Sequence, residues 1–354
     1  MRAGRRRLTD PAYARRVGRL ALVVLTVLAA VGVTPAGSAA PTSAHHDRAP
    51  VTSSSARVVG DGSSTSCTSD AVVRAVRRGG VIRFDCGPRP VTIEMRRTAK
   101  VVNTSRRVVI DGGGLVTLSG MGQRRILYQN TCDPAQVWTT SHCDDQASPR
   151  LVLRGLTLAR GDSTGQDLDG GGGGAVFVRG GRLKVVGSTF VGNRCDRVGP
   201  DVGGAALRVL DQHRDRPVQV VRSTFRRGRC SNGGAISSIG VSWRIEDSTF
   251  LGNRAIGRGA NPARPGTPGG GSGGAIYLDG NLFTLSLVRT TVRGNVAREG
   301  GGAVFFVSND RTGTMEVRGS RLVRNPSQGF ETAGLPGIFF LGARLPTIVD
   351  SVLR

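Results

Sequence analysis

The chain has 354 residues and a formal net charge of +24, because 49 Lys and Arg residues outnumber 25 Asp and Glu residues. A surface this basic favours acidic partners such as uronate polysaccharides, teichoic acids or nucleic acid. No signature of a nucleic-acid module accompanies the charge, so nucleic acid is excluded from the expected partners. Only Lys100 and Lys184 are lysines, and the arginines are spread along the whole chain. A generally solvated basic surface therefore stays an alternative to a glycan-binding one.

The first 40 residues predict an export signal. Residues 1–19 hold seven arginines and one aspartate, and an apolar run follows from Leu20 to Val33. That run is short for a bilayer span and long enough for the core of a signal peptide. We therefore predict a signal peptide over residues 1–40 and a secreted, extracellular protein without membrane contact, with an uncleaved anchor as the alternative. Cleavage removes seven basic and one acidic side chain and leaves a formal charge of +18.

Residues 41–66 are rich in Ser, Thr and Ala without periodicity, which predicts a flexible leader. His45 and His46 lie in this segment, and we interpret them as solvated side chains of the leader and not as a metal site.

Residues 67–107 predict an N-terminal cap. Ser69 or Asp70 can cap a short helix that runs through Arg78, and the glycines that follow would end it. The open end of a stacked β-structure exposes apolar core and unpaired strand groups, so a covering helix is expected there.

Residues 108–354 are organised by a returning apolar triplet with offsets 0, 2 and 7. Offsets 0 and 2 put two side chains on one face of a β-strand, and the odd step to the third residue predicts a bend near the small or polar pair before it. Repeats spaced by 25 to 43 residues predict stacked coils around a shared core. The copies start at Val108, Leu151, Leu183, Val218, Trp243, Leu285, Met315 and Pro346.

Gly-Gly-Ala is the second repeated signal, and it predicts other corners of the coil because glycine tolerates positive φ. It occurs at residues 173–175, 203–205, 233–235, 273–275 and 301–303. Between the copies, residues 121–150 interrupt the repeat.

Six cysteines in an exported chain predict three disulfides. The count alone allows 15 connectivities. Cys195 and Cys230 each fall five residues after a core phenylalanine, so adjacent coils would place them about 4.8 Å apart, within disulfide range. Sequence proximity suggests the other two pairs. The predicted pairs are Cys67–Cys86, Cys132–Cys143 and Cys195–Cys230.

Together, Gly-Gly-Ala and Phe-x-x-Asn resemble the repeats of polymorphic outer-membrane-protein-like right-handed parallel β-helix proteins. The second signal is literal at Phe190–Asn193 and Phe250–Asn253, is relaxed before Asn295 and Asn325, and is lost where Gly228 takes the Asn place. The resemblance implies an all-β, single-stranded right-handed parallel β-helix solenoid of the pectate-lyase-like kind, with a short capping helix. Such a shape carries lyases, hydrolases, adhesins and coat proteins, so it does not imply one activity. We interpret the asparagines as a stacked amide ladder at a turn.

Candidate chemistry lies in the acidic loop that holds Asp162, Asp167 and Asp169. These carboxylates are the candidate catalytic residues, and Asp167 and Asp169 are candidate calcium ligands, because hard cations prefer clustered carboxylates. An acidic glycine-rich turn without metal is the alternative. The string from Gly161 to Gly165 matches a nucleophile elbow, but a loop follows it where that motif needs a helix.

Two functional hypotheses remain. The first is a non-catalytic, adhesin-like extracellular or cell-surface binding protein, expected to be a monomer, that contacts acidic polysaccharide or cell-wall glycan and needs no cofactor. The second is a polysaccharide lyase or glycoside hydrolase. The paired aspartates that glycoside hydrolysis requires are missing from the coil strands, which favours the first hypothesis.

Overall fold

The computed structural model describes residues 56–166 and 171–354. The predicted signal peptide, His45, His46, Asp167 and Asp169 lie outside these residues. Within them, no helix is both long and apolar enough to cross a membrane.

The described chain opens with a short strand, β1 (Arg57–Val59), which pairs in parallel with β2 (Gly80–Phe84). The predicted leader boundary at residue 66 is therefore too late. Val59 is buried against the core, and a strand of three residues is too short to show periodicity.

Helix α1 (Ser69–Arg78) is the predicted capping helix. Its N-cap is Thr68, whose side chain accepts a hydrogen bond from the Ala71 amide, so the prediction of Ser69 or Asp70 as the cap is wrong by one or two residues. Ser69 is instead buried, and its Oγ accepts from the Arg96 amide at 2.9 Å. The helix ends at Gly79, whose φ is 66°.

The body is an all-β parallel β-helix in which successive coils stack strand on strand. Its largest sheet has two arms, because the chain bends within each coil, and the strands Arg107–Ser119 (β5) and Arg150–Ala159 (β7) run through both arms. The first arm consists of β2, β5 (Arg107–Ser119), β7 (Arg150–Ala159), β9 (Arg182–Val186), β12 (Val218–Val221), β16 (Trp243–Glu246), β20 (Thr284–Val288), β24 (Thr314–Arg318) and β27 (Thr347–Val349). The second arm consists of β3 (Val91–Glu94), the ends of β5 and β7, β10 (Thr189–Val191), β13 (Thr224–Arg226), β17 (Thr249–Leu251), β21 (Thr291–Arg293), β25 (Arg321–Val323) and β28 (Val352–Leu353).

Two further sheets close the coils. The larger consists of β4 (Ala99–Lys100), β6 (Leu127–Asn130), β8 (Val176–Arg179), β11 (Leu207–Leu210), β15 (Ile236–Ile239), β19 (Ile276–Gly280), β23 (Val304–Ser308) and β26 (Ile338–Leu341). The smaller consists of β14 (Arg229–Cys230), β18 (Arg254–Ala255) and β22 (Val296–Ala297). Single 3-10 turns occur at Pro134–Gln136, Cys143–Asp145 and His213–Asp215.

The predicted bend between the second and third apolar residues of each copy lies one residue before a buried serine, as at Ser188, Ser223 and Ser248. Gly187, Arg222 and Asp247 adopt positive φ there, and the hydroxyls that follow form a ladder in which the Ser188 amide donates to Ser223 Oγ at 3.2 Å. Beyond the bend the third apolar residue points inward again. The phenyl rings of Phe190, Phe225 and Phe250 consequently stack with centroids 4.7 Å apart in the fully buried core.

Two register details correct the sequence-based prediction. In the first full coil, Leu115 is 41% exposed, and Leu118 is the residue paired with Leu158. The register shifts between Asp111 and Val116, because the glycines there bulge out of the strand. At residues 203–205 the corner is displaced by one residue, since Gly204 and not Gly203 has positive φ.

All three predicted disulfides are present: Cys67–Cys86, Cys132–Cys143 and Cys195–Cys230. The third joins neighbouring coils with a Cα–Cα distance of 4.8 Å, so the predicted register of those coils is confirmed.

Candidate functional site

Asp162 of the predicted acidic loop is occupied by structural contacts. Its Oδ2 accepts from Arg194 Nε at 2.6 Å, and its Oδ1 accepts from the amide and hydroxyl of Thr164 at 2.9 and 2.6 Å. The carboxylate is almost fully buried. Both oxygens therefore stabilise a turn, and a bound cation would have to displace these donors. The proposed catalytic and calcium roles of Asp162, Asp167 and Asp169 stay predictions.

Within the described residues, one group of side chains has ligand atoms close enough together to hold a metal ion: Cys132, Cys143 and Asp144. The two sulfurs are bonded to each other and are not thiolates, so this group is not a metal centre. Ser163, in the elbow-like string, is fully buried and followed by a turn. A substrate cannot reach its hydroxyl as the chain is folded.

A row of arginines on the outer face of the first arm is the clearest charged feature that the fold assembles. Arg107 pairs in register with Arg150, and Arg150 pairs in register with Arg182. Parallel strands are about 4.8 Å apart, so three guanidinium groups follow one another along one line. We call Arg107, Arg150 and Arg182 the arginine row.

Among the described residues, no carboxylate forms an ion pair with the arginine row. Arg150 makes one weak side-chain hydrogen bond, from Nε to the Ala147 carbonyl at 3.4 Å. Burial lowers the pKa of Arg182, and the positive charges of Arg216 and Arg150 lower it further. Like charges directly opposite each other on adjacent strands are destabilising, so the row is a place where an external anion would relieve repulsion.

The row borders a shallow groove of about 240 Å³. Lys184 adds a fourth cation, Val152 and Leu183 supply apolar surface, and Pro217 and Gln219 close the far side. A concave surface with cations around an apolar floor fits a ligand that is both charged and carbon-rich. The sequence contains a signal for this row, because an arginine stands directly before the first inward residue of three copies of the repeat. The three pairs are Arg107-Val108, Arg150-Leu151 and Arg182-Leu183. Counting charges along the chain does not reveal this alignment.

A second polar cluster lies where loops meet the strands of the eight-stranded sheet. Asn261 Nδ2 lies 2.8 Å from Tyr277 Oη, 3.1 Å from Asp279 Oδ2 and 3.2 Å from Asp201 Oδ1. Burial raises the pKa of Tyr277, and the nearby Asp279 charge raises it further. Burial also lowers the pKa of Arg208 to about 10. No sequence motif predicts this cluster, because its members come from separate loops and coils.

Comparison with known proteins supports the repeat and does not assign an activity. Residues 247–279 match the Chlamydia polymorphic membrane protein repeat. The match contains Phe250–Asn253 and residues 273–275, so it identifies one coil of the β-helix as a repeat of this kind and confirms the resemblance there. The chain has no significant match among curated proteins or among solved structures.

Proposed function

We propose that the chain is a non-catalytic, adhesin-like binding protein, at the cell surface or outside the cell, that contacts acidic polysaccharide through the arginine row. The observation that carries the proposal is three in-register arginines without an acidic partner among the described residues. A linear polyanion presents charges at intervals along a line, as the row does. Each phosphate-like or carboxylate contact releases counterions, which favours binding at low salt.

Two further observations support the extracellular part of the proposal. The matched repeat carries the name of a membrane protein repeat of Chlamydia. The described cysteines are all disulfide-bonded, which is typical of oxidising compartments.

Binding of polygalacturonate to the full chain tests the proposal. We expect the double variant Arg150→Gln, Arg182→Gln to bind at least tenfold more weakly than the unmodified chain. The slope of log K against log salt should also become shallower in this variant, because fewer counterions are released on binding. The matched control is Arg244→Gln, Arg318→Gln, which removes the same charge from the same face where arginines already pair with Glu246 and Glu316. Equal weakening in both double variants would contradict a specific role of the row.

The Asn261 cluster favours hydrolysis or lysis of polysaccharide as a second candidate function. Asp201 and Asp279 both lie within 3.2 Å of one amide nitrogen, so their carboxyl groups are close enough for paired-carboxylate chemistry. New reducing or unsaturated ends from acidic polysaccharides, with or without calcium, and their loss in Asp279→Asn would establish this candidate. Retained binding without new ends would exclude it.

A further inference from the structure

A basic cleft of about 530 Å³ lies beside the N-terminal cap. Its walls come from α1, from the edge strand β4 and from the loop after β6, and it shares no lining residue with the groove of the arginine row. Four cations converge on it: Arg77, Arg97, Lys100 and Arg124. We call this cavity the cap cleft.

The fold brings these cations together from separate segments. Arg77 lies one turn after Val73 on α1, so both side chains face the cleft. Lys100 is the last residue of β4, the edge strand of its sheet, and its Nζ lies over the Tyr128 ring, 5.6 Å from the ring centre. Arg124 lies in the turn that leads into β6.

The charges of the cap cleft are poorly neutralised. Arg97 pairs with Asp70 at 2.7 Å, but both side chains are more than half exposed. Ion pairs that exposed contribute little interaction energy, so Arg97 remains available to an anionic ligand. Arg124 donates to the Arg96 carbonyl and to Gln123 Oε1, while its Nε is buried without a hydrogen-bond partner. No carboxylate lines the cleft within the described part of the chain.

The loop after β6 presents an apolar wall under backbone strain. Val137 has φ of 80°, a conformation that a β-branched residue rarely adopts, and it is 61% exposed. The loop is held in place by the Cys132–Cys143 disulfide and by Asn103 Nδ2, which donates to the Trp138 carbonyl at 2.6 Å. Strain retained by surrounding contacts is a feature of ligand-binding positions.

We propose that the cap cleft binds a phosphate monoester carried on a small polyol or sugar. The four cations line one cavity of about 530 Å³, whose size is on the order of the Debye length of about 8–10 Å, so they act on one ligand together. A dianionic phosphate neutralises more of that charge at one point than a single carboxylate does, and Arg and Lys are the usual phosphate donors. The valine side chains provide a surface for the carbon body of the ester.

Calorimetric titration of the full chain with glycerol 3-phosphate tests this assignment. We expect binding that weakens as salt rises and strengthens between about pH 5 and 7, because the second phosphate proton leaves near pH 6. The double variant Arg77→Gln, Lys100→Gln should bind at least tenfold more weakly. The control Arg74→Gln, Arg78→Gln removes the same charge from α1 outside the cleft and should stay within twofold of the unmodified chain.

Three outcomes would overturn the proposal: no binding at millimolar ester, equal weakening in the control, or binding of glycerate as strong as that of the phosphate ester. If the double variant does not fold, as judged by its thermal melt, the single variant Lys100→Gln replaces it, with an expected loss of severalfold. Arg150→Gln, Arg182→Gln should leave the ester affinity unchanged, so failure here is distinguishable from failure of polysaccharide binding.

Discussion

The outer face of the first arm carries different charges in its N-terminal and C-terminal coils. In the N-terminal coils Arg107, Arg150 and Arg182 precede the inward residue, and among the described residues they form no ion pair. In the next four coils that position holds Pro217, Ser242, Thr284 and Thr314. Three arginines of these later coils, Arg244, Arg289 and Arg318, pair with Glu246, Asp247 and Glu316, while in the N-terminal coils Arg154 pairs with Asp111 beside the arginine row.

The internal polar ladder differs between the same two regions. In the C-terminal coils Asn253 Nδ2 donates to Asn295 Oδ1, and Asn295 Nδ2 donates to Asn325 Oδ1, each at 2.9 Å. At Gly228 the ladder is interrupted, and Asn193 bonds only to backbone groups, the Gly161 amide and the Leu158 carbonyl. One backbone repeat thus supports a region with a continuous amide ladder and a region whose arginine row has no acidic partner among the described residues.

The largest expected effect concerns the junction of the two regions. Phe225 is fully buried between Phe190 and Phe250, so Phe225→Ala should lower the free energy of unfolding by about 3–5 kcal/mol. In a solenoid only neighbouring coils touch, and a weak interface there should let the two regions unfold in separate steps. Chemical denaturation followed by two probes measures both effects. The exposed Leu251→Ala is the control; a similar loss in that variant would contradict the shared core.

The amide ladder provides the next prediction. Asn295→Ala leaves the buried Asn253 backbone amide without its acceptor and removes one of the two hydrogen bonds to Asn325 Oδ1, so it should cost about 1–3 kcal/mol of unfolding free energy. Asn193→Ala removes contacts to backbone alone and should cost less. Denaturant midpoints of the two variants test the ranking, and an equal cost would mean that ladder continuity adds no stability.

Charge reversal in the arginine row makes the N-terminal region resemble the C-terminal one. Arg150→Glu places a carboxylate between Arg107 and Arg182 and should stabilise the fold by ~0.2–1 kcal/mol for each new pair. Polygalacturonate binding should fall by more than tenfold in the same variant. A stability gain without a loss of binding would show that the row is not the contact surface.

The smallest expected effect is the contribution of one ion pair of the C-terminal coils to the pH dependence of stability. The hydrogen bond from Arg289 lowers the pKa of Asp247 below its ordinary value. The pair therefore stabilises the fold above about pH 4 and loses that contribution as the pH falls through the lowered pKa. Asp247→Asn should reduce the difference in Tm between neutral and acid solution, whereas Arg150→Gln should leave that difference unchanged. A pH response equal to that of the unmodified chain would show that the pair contributes nothing.

The sequence predicts the β-helix well because its determinants are local. Alternation at offsets 0 and 2 sets which side chains face inward, and the in-register spacing of Cys195 and Cys230 predicts their disulfide. Prediction fails where extra residues leave the coil. At Leu115 the preceding glycines bulge out of the strand, so spacing alone selects the wrong inward residue. The N-cap of α1 is predicted one or two residues too late for a different reason. Thr68, Ser69 and Asp70 all have side chains that can cap a helix, and the sequence does not show which one does.

The candidate sites were only partly accessible from the sequence. The arginine row follows from register, because each member directly precedes an inward residue, and a careful alignment of copies would find it. The Asn261 cluster and the cap cleft join residues from separate segments, such as Asp201 with Asp279 and Arg77 with Arg124.

By itself, the sequence determined the stacked-coil architecture, the direction of most core side chains and the Cys195–Cys230 disulfide, since these follow from periodic patterns along the chain. The other two disulfides followed from the proximity of their cysteines in the sequence. Only the tertiary structure decided which charges remain unpaired and which loops converge on a cleft. The physical reason is that strand register repeats at a constant spacing of about 4.8 Å, while the path of a loop depends on packing against whichever coil it covers.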